Sequence, residues 1–206
     1  MLHLIDHPLI SAELACVRDP GCPSFEFRQR VRRIASLMVP AVTADLEVSV
    51  IPCNTPLEIT VGNKIQRQII LVPILRAGLG FLDGFLDLIP QAAVAHIGLA
   101  RNEETLQPEA YYLKHPTPLE EADLILLDPM LATGGSAVHA LNTLYEAGAK
   151  RIRFVSLLAA PEGVATVRAA HPAVAIFTAA IDRCLSEKGF ILPGLGDAGD
   201  RLFGTI

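Results

Sequence analysis

The chain has 206 residues, enough for one large folded unit with a sizeable core. It is 51% hydrophobic with a formal net charge of -5, which argues against disorder and against a broad basic face for nucleic acid while leaving room for a local anion site. Arg76 and Asp83 interrupt the longest apolar stretch, so no window reaches the roughly 18 uninterrupted apolar residues of a membrane span.

The opening "MLHLIDHPLI" has no basic leader region or small-residue cleavage pattern, and the expected location is cytoplasmic. Cys16, Cys22, Cys53 and Cys184 show no CxxC spacing, so disulfides and structural zinc are not expected, and most of them read as small buried hydrophobes. Residues 24–39 place Phe27, Val31, Ile34 and Met38 at helical spacing behind Ser24, the expected N-cap. The alternating runs "LEVSVIP" and "LEITVG" flank an Asn-Thr-Pro turn and predict a β-arm.

From Ile69 the pattern becomes regular: "IILVPI", a helix through "AGLGFLDGFLDLI", "AVAHIGLA", then "LILLD", a helix through "GSAVHALNTLYEAGA", "IRFVSLLAA", a helix "GVATVRAAH" and "VAIFTAAI". Continuous apolar strands alternating with helices predict an α/β fold of parallel βαβ units, buried on both faces. The polar, Tyr-containing stretch near 101–121 reads as a β-hairpin or flap. No repeat or linker marks a boundary, so 1–206 reads as a single domain: a helix and β-arm over 1–68, an α/β core over 69–182, and a glycine-rich segment over 183–206.

Ligands of open α/β sheets bind beyond the carboxyl ends of the strands, and Arg76, Arg101, Asp128 and Asp182 each follow a predicted strand. In "DPMLATGGS", Thr133, Gly134, Gly135 and Ser136 lie where a loop enters a helix, so unpaired amides and the positive helix end suit a phosphate. Asp128, several residues upstream, suits the hydroxyls of a sugar on the same ligand. The competing reading is a Thr133 cap with a tight glycine turn, and the residues alone leave both open. No Lys stands where a Walker A loop requires one.

The literal GxGxxG of "GLGDAG", Gly194 to Gly199, has too little chain after it for a dinucleotide fold, which leaves an irregular turn or a loop facing a small planar ligand. Arg76 points to a carboxylate or a phosphate-like anion, with a surface ion pair as the alternative. Arg101 has Glu103 and Glu104 close by as ordinary partners. The histidines show no metal-binding spacing, and no Gly-x-Ser-x-Gly elbow is present.

Taken in order, "HPLI", "TADLE", "VPILRAGLG", "RNEETL", "DPMLATGGS", "AAPEG" and "PGLGDAGDRLFGT" resemble the uracil phosphoribosyltransferase family over nearly the whole chain. The resemblance implies a phosphoribosyltransferase-type, Rossmann-like parallel core with helices on both faces. It also implies transfer of 5-phosphoribosyl from phosphoribosyl pyrophosphate (PRPP) to uracil, giving UMP and diphosphate in pyrimidine salvage. By matching residues, Asp128 would hold the ribose hydroxyls, Ala132 to Ser136 the 5-phosphate, and Arg76 and Arg101 the diphosphate. Pro129, Met130 and Leu131 complete the PRPP stretch. Asp197 would serve PRPP and base together, with Ile191, Gly196 and Ala198 reading uracil; Asp128, Arg76 and Asp197 are the implied catalytic set.

Magnesium would arrive complexed with PRPP, its protein ligands unassigned. The family forms homodimers or higher assemblies, some activated by GTP; neither nucleic acid nor membrane is an expected partner. Phe190 departs from the Tyr common there, and "LSEKG" from Leu-Asn-Glu-His-Gly. A nucleotide-sensing regulator that kept the fold, and an enzyme for another base, are the alternatives.

Overall fold

The apolar runs from Ile69 onward form a sheet whose parallel strands are covered on both faces. The computed structural model describes residues 1–101, 108–116 and 118–205. Its N-terminal third holds β1 (Leu2–Leu4), α1 (Pro8–Arg18), α2 (Ser24–Val42), β2 (Val48–Asn54) and β3 (Ile59–Ile65). Next come β4 (Ile69–Leu75), α3 (Leu79–Leu86), β5 (Ala93–Val94), β6 (His96–Arg101), β7 (Pro108–Lys114), β8 (Asp123–Leu127) and β9 (Met130–Leu131). The chain continues through α4 (Gly135–Glu146), β10 (Arg151–Ala159), α5 (Pro161–Ala170) and β11 (Ala175–Ile181), then β12 (Cys184–Leu185), β13 (Ile191–Leu192) and α6 (Ala198–Phe203).

The main sheet runs β1-β11-β10-β8-β4-β6-β7, with β6 and β7 antiparallel and the other neighbours on that path parallel. Successive side chains of a strand point to opposite faces, and the core divides accordingly. Leu71, Ile125, Leu127, Val155 and Phe177 pack with α1, α2, α3 and α6. Ile70, Val72, Leu124, Leu126, Phe154 and Ile176 pack with α4 and α5. This double burial is why β4 and β8 read as unbroken apolar runs rather than as alternation.

Phe27, Val31, Ile34 and Met38 are buried along α2, as their spacing predicts, but Ser24 is not the cap. Pro23 takes the N-cap position without a side-chain bond, and Ser24 begins the first turn. The arm is the antiparallel pair β2–β3, in register from Val48 opposite Ile65 to Asn54 opposite Ile59. It leaves Val50, Leu57, Ile59 and Val61 exposed. Cys53 also lies exposed on this arm, and Cys16, Cys22 and Cys184 are only partly buried, so the expectation of buried cysteines is corrected; all are free thiols. Among the described residues no helix is long and apolar enough to cross a membrane.

β1 was not foreseen: three residues are too few for a periodicity, yet Leu2–Leu4 add a parallel edge strand against Ile176–Thr178 of β11. In the stretch read as a hairpin or flap, β7 pairs antiparallel with β6, the preceding core strand, while residues 102–107 and 117 lie outside the described residues.

Candidate active site

The site is built at the carboxyl ends of β4, β8, β10 and β11. After β8 the chain turns through Asp128 and Pro129, and the Pro129 carbonyl accepts the amides of Leu157 and Leu158 at 2.9 and 3.0 Å. Leu131 is buried in the core and its carbonyl accepts the Ala160 amide at 2.9 Å. The stretch before the glycines is therefore anchored to β10, and only the residues after Leu131 project toward α4.

At the start of α4 the N-cap is Gly134, in the left-handed region at φ 87°, which favours glycine. Gly134 has no side chain to offer the first turn, and the Thr133 hydroxyl reaches the Gly135 amide only at 3.5 Å, beyond the usual 2.7–3.2 Å range. The geometry thus departs from the reading in which Thr133 caps the helix. It leaves first-turn amides and the positive helix end available to an anion.

Asp128 sits on the floor of an adjoining cavity of about 220 Å³. Burial pushes its carboxyl up to about 7, against which the Met130 amide, 3.3 Å away, gives only partial relief. One face of the group opens into the cavity while protein atoms crowd the rest. A carboxyl so placed gains from ligand hydroxyls that solvate its charged form.

The same cavity is lined by Met130 and Ala132 from one side and by Ile191, Gly196, Asp197 and Ala198 from the other. Ala77, Gly189, Phe190 and Gly199 complete the wall. Of the residues singled out in the sequence, Asp128, Met130, Ala132, Ile191, Gly196, Asp197 and Ala198 are thus brought together. Asp197 also caps α6, accepting the Asp200 amide at 2.9 Å. Thr133, Gly134, Gly135 and Ser136 continue from the rim into α4.

Arg76 follows β4 across a cis Leu75–Arg76 peptide and is exposed. It pairs with Asp200 at 3.3 Å and lies 5.8 Å from the centre of the Phe203 ring. Such an exposed pair is weak and exchangeable, on the order of 0–1 kcal/mol. Arg101 ends β6, and its side chain lies outside the described residues.

Several supports were not assigned from the sequence. Gly163, in the first turn of α5, approaches the loop so closely that an added Cβ would lie 2.3 Å from the Ala132 carbonyl. Its neighbour Glu162 accepts the Leu185 amide at 3.0 Å and so tethers the β12–β13 hairpin that carries Ile191. "AAPEG" was visible as a motif, but nothing in it signals a contact with either loop. Asp182 follows β11 as expected of a strand-end carboxylate; its partner is Arg18 of α1, at 2.7 Å, in a segment with no prior assignment.

This arrangement, a parallel sheet with an anion-ready loop after one strand and a second loop closing over it, defines a phosphoribosyltransferase-type fold. The hypoxanthine phosphoribosyltransferase structure from Staphylococcus aureus shares that fold, at TM-score 0.52 and 14% identity over 75% of this chain and 73% of that one. The profile of the family described as uracil phosphoribosyltransferase matches residues 4–205. Uracil phosphoribosyltransferases from Ligilactobacillus salivarius and Halalkalibacterium halodurans are 52% and 53% identical to this chain, covering 98% and 99% of it and 97% and 98% of their own lengths. A structure of a protein from Aquifex aeolicus superimposes with TM-score 0.92 at 35% identity, over 98% of both chains. The chain belongs to the uracil phosphoribosyltransferase family.

Proposed function

We propose that this protein transfers the 5-phosphoribosyl group of PRPP to uracil, forming UMP and diphosphate in the cytoplasm. The observation that carries the reading is one cavity, in which Asp128, one turn of chain from an uncapped helix start, faces Ile191, Gly196, Asp197 and Ala198. In this reading Asp128 accepts the ribose hydroxyls, and amides from Ala132 to Ser136 take the 5-phosphate, with Pro129, Met130 and Leu131 shaping the approach. Backbone N–H and C=O groups beside Gly196 and Ala198 meet the alternating donors and acceptors of uracil. The amino group of cytosine would set a donor against a donor there.

Displacement at the anomeric carbon breaks its bond to the diphosphate oxygen and forms a bond to the base nitrogen, whose proton passes to solvent or the departing diphosphate, through a transition state with oxocarbenium character. Catalysis then consists of holding the base nitrogen in line and stabilising the departing diphosphate. Arg76 exchanges Asp200 for the diphosphate, and Arg101 adds a second cation. Asp128 and Asp197 open into the same cavity, and among the described residues no cluster of three His, Cys, Asp or Glu forms a cage. Carboxylate oxygens of this kind suit magnesium. Asp128 and Asp197 would hold it, and it would neutralise charge on the leaving group.

The purified protein with magnesium, PRPP and uracil is expected to form UMP; none above an enzyme-free control would reject the activity. Arg76→Ala should lower kcat/KM about 100-fold, as for removal of one donor from a developing anion. An unchanged rate would remove Arg76 from the diphosphate site. The exposed apolar side chains of the arm support a homodimer or higher assembly, and GTP is carried as an activator on the family resemblance. Light scattering with and without GTP, alongside rates, tests both.

A further inference from the structure

Behind the base loop, outside the cavity, a partly buried ion pair holds both backbone polar groups of one residue. Asp182 is 7% exposed and takes two nitrogens of the Arg18 guanidinium at 2.7 and 2.8 Å. The same Asp182 carboxylate accepts the Gly194 amide at 2.9 Å, and Arg18 donates to the Gly194 carbonyl at 2.8 Å. Arg18 and Asp182 lie 164 residues apart in the chain, at the ends of α1 and β11, so the clamp ties two rigid elements to one loop residue. Next along, Arg201 donates to the Leu195 carbonyl at 2.8 Å and to that of Val17, fastening the loop to α1 a second time.

Burial drives the Asp182 carboxyl upward, but the Arg18 hydrogen bonds and the Gly194 amide more than offset it and hold the group below its ordinary range. The pair is therefore charged and fully engaged at neutral pH. Gly194 and Gly196 hold φ values of 61° and 82°, and glycine leaves a loop more backbone freedom than other residues do. Recognition through backbone groups requires that freedom to be removed before the ligand arrives, since hydrogen bonds weaken steeply with misalignment.

We propose that Arg18 and Asp182 are positioning residues for base recognition: they fix the Gly194 peptide groups and so set the segment that reads the base, without touching it. The proposal rests on the reading of Ile191 to Ala198 as the uracil segment. Asp182→Asn keeps the volume but removes the charge that holds the guanidinium. Arg18→Lys keeps the charge but cannot serve Asp182 and the Gly194 carbonyl together as a planar fork does.

Steady-state kinetics on the full-length variants are expected to show the KM for uracil raised at least 10-fold and the KM for PRPP changed less than about 3-fold. Arg18→Lys should lie between wild type and Asp182→Asn. An unchanged uracil KM in a folded variant overturns the clamp, and so does a parallel rise in both KM values, which would mark general loosening of the sheet end. If Asp182→Asn does not fold, the same split is read on Arg18→Lys. The wild type run alongside separates the two readings: no UMP from it rejects the uracil segment itself, whereas active wild type with unaffected variants rejects only the clamp.

Discussion

Asp128→Asn is expected to lower kcat/KM by about two orders of magnitude and, in the same molecule, to raise the melting temperature of the ligand-free protein at pH 8. The loss comes from removing a charged acceptor: hydrogen bonds to a charged group contribute roughly 1.5–3 kcal/mol each, and two ribose hydroxyls would share this one. The gain comes from burial. The folded Asp128 carboxyl is held at about 7 against an ordinary 3.8, because protein on most sides disfavours its charge. A raised carboxyl makes the folded state the stronger proton binder between those values. Stability therefore falls as pH rises from about 4 to 7, and stays low above that.

At about 1.4 kcal/mol per pH unit, the charged Asp128 costs on the order of 4 kcal/mol at pH 8, and Asn removes an appreciable part of it. For a chain of this length each kcal/mol moves the melting temperature by roughly 2–4 °C. The difference between variant and wild type should shrink toward pH 5 and vanish near pH 4. Magnesium-PRPP should stabilise the wild type far more than the variant, and should bind the wild type more tightly as pH rises through 7, since ribose hydroxyls favour the ionised form. Thermal melts across pH with and without PRPP measure all of this. A variant less stable than wild type at pH 8, or fully active, would sink the assignment of Asp128 as a strained sugar acceptor.

How much of this was legible beforehand depended on the range of the forces involved. The strands at Ile69 and Leu124 announce themselves because both faces are buried, and α2 because its apolar stripe has a helical period. The glycine-started helix α4 was legible because glycines at the start of a helix are a local arrangement, and it comes after a strand end where α/β sites lie. Non-local contacts were not legible. Nothing in "ACVRDP" says that Arg18 will meet Asp182, and nothing in "APEG" says that Gly163 will lie beneath Ala132. β1 is shorter than any pattern, and Ser24 looked like a cap until Pro23, whose carbonyl accepts the Phe27 amide at 2.9 Å, took the position. The partner of Arg76 is equally remote in the chain: Asp200 stands 124 residues further on.

Gly134→Ala and Gly163→Ala, on opposite sides of one contact, should each raise the KM for PRPP by 10-fold or more, on the strength of about 1–3 kcal/mol of overpacking or backbone strain. A Cβ on Gly134 would stand 2.9 Å from the Gly163 carbonyl and 2.9 Å from Thr166 Cβ, at a φ of 87° that an L side chain resists. On Gly163 it would stand 2.3 Å from the Ala132 carbonyl and 2.8 Å from that of Leu131, which are backbone atoms with no rotamer by which to yield. Either change must part α5 from the loop, and with it the amides proposed to take the 5-phosphate. Because both act by the same separation, the double variant should lose much less than the sum of the two. Gly148 supplies the control: its φ is 96°, but nothing lies within 4 Å of an added Cβ, so Gly148→Ala should lower stability and leave the PRPP KM alone. If Gly148→Ala raises the PRPP KM as much as the other two, general destabilisation rather than the α5 contact accounts for the effect. If Gly163→Ala binds PRPP as the wild type does, the loop does not depend on its floor.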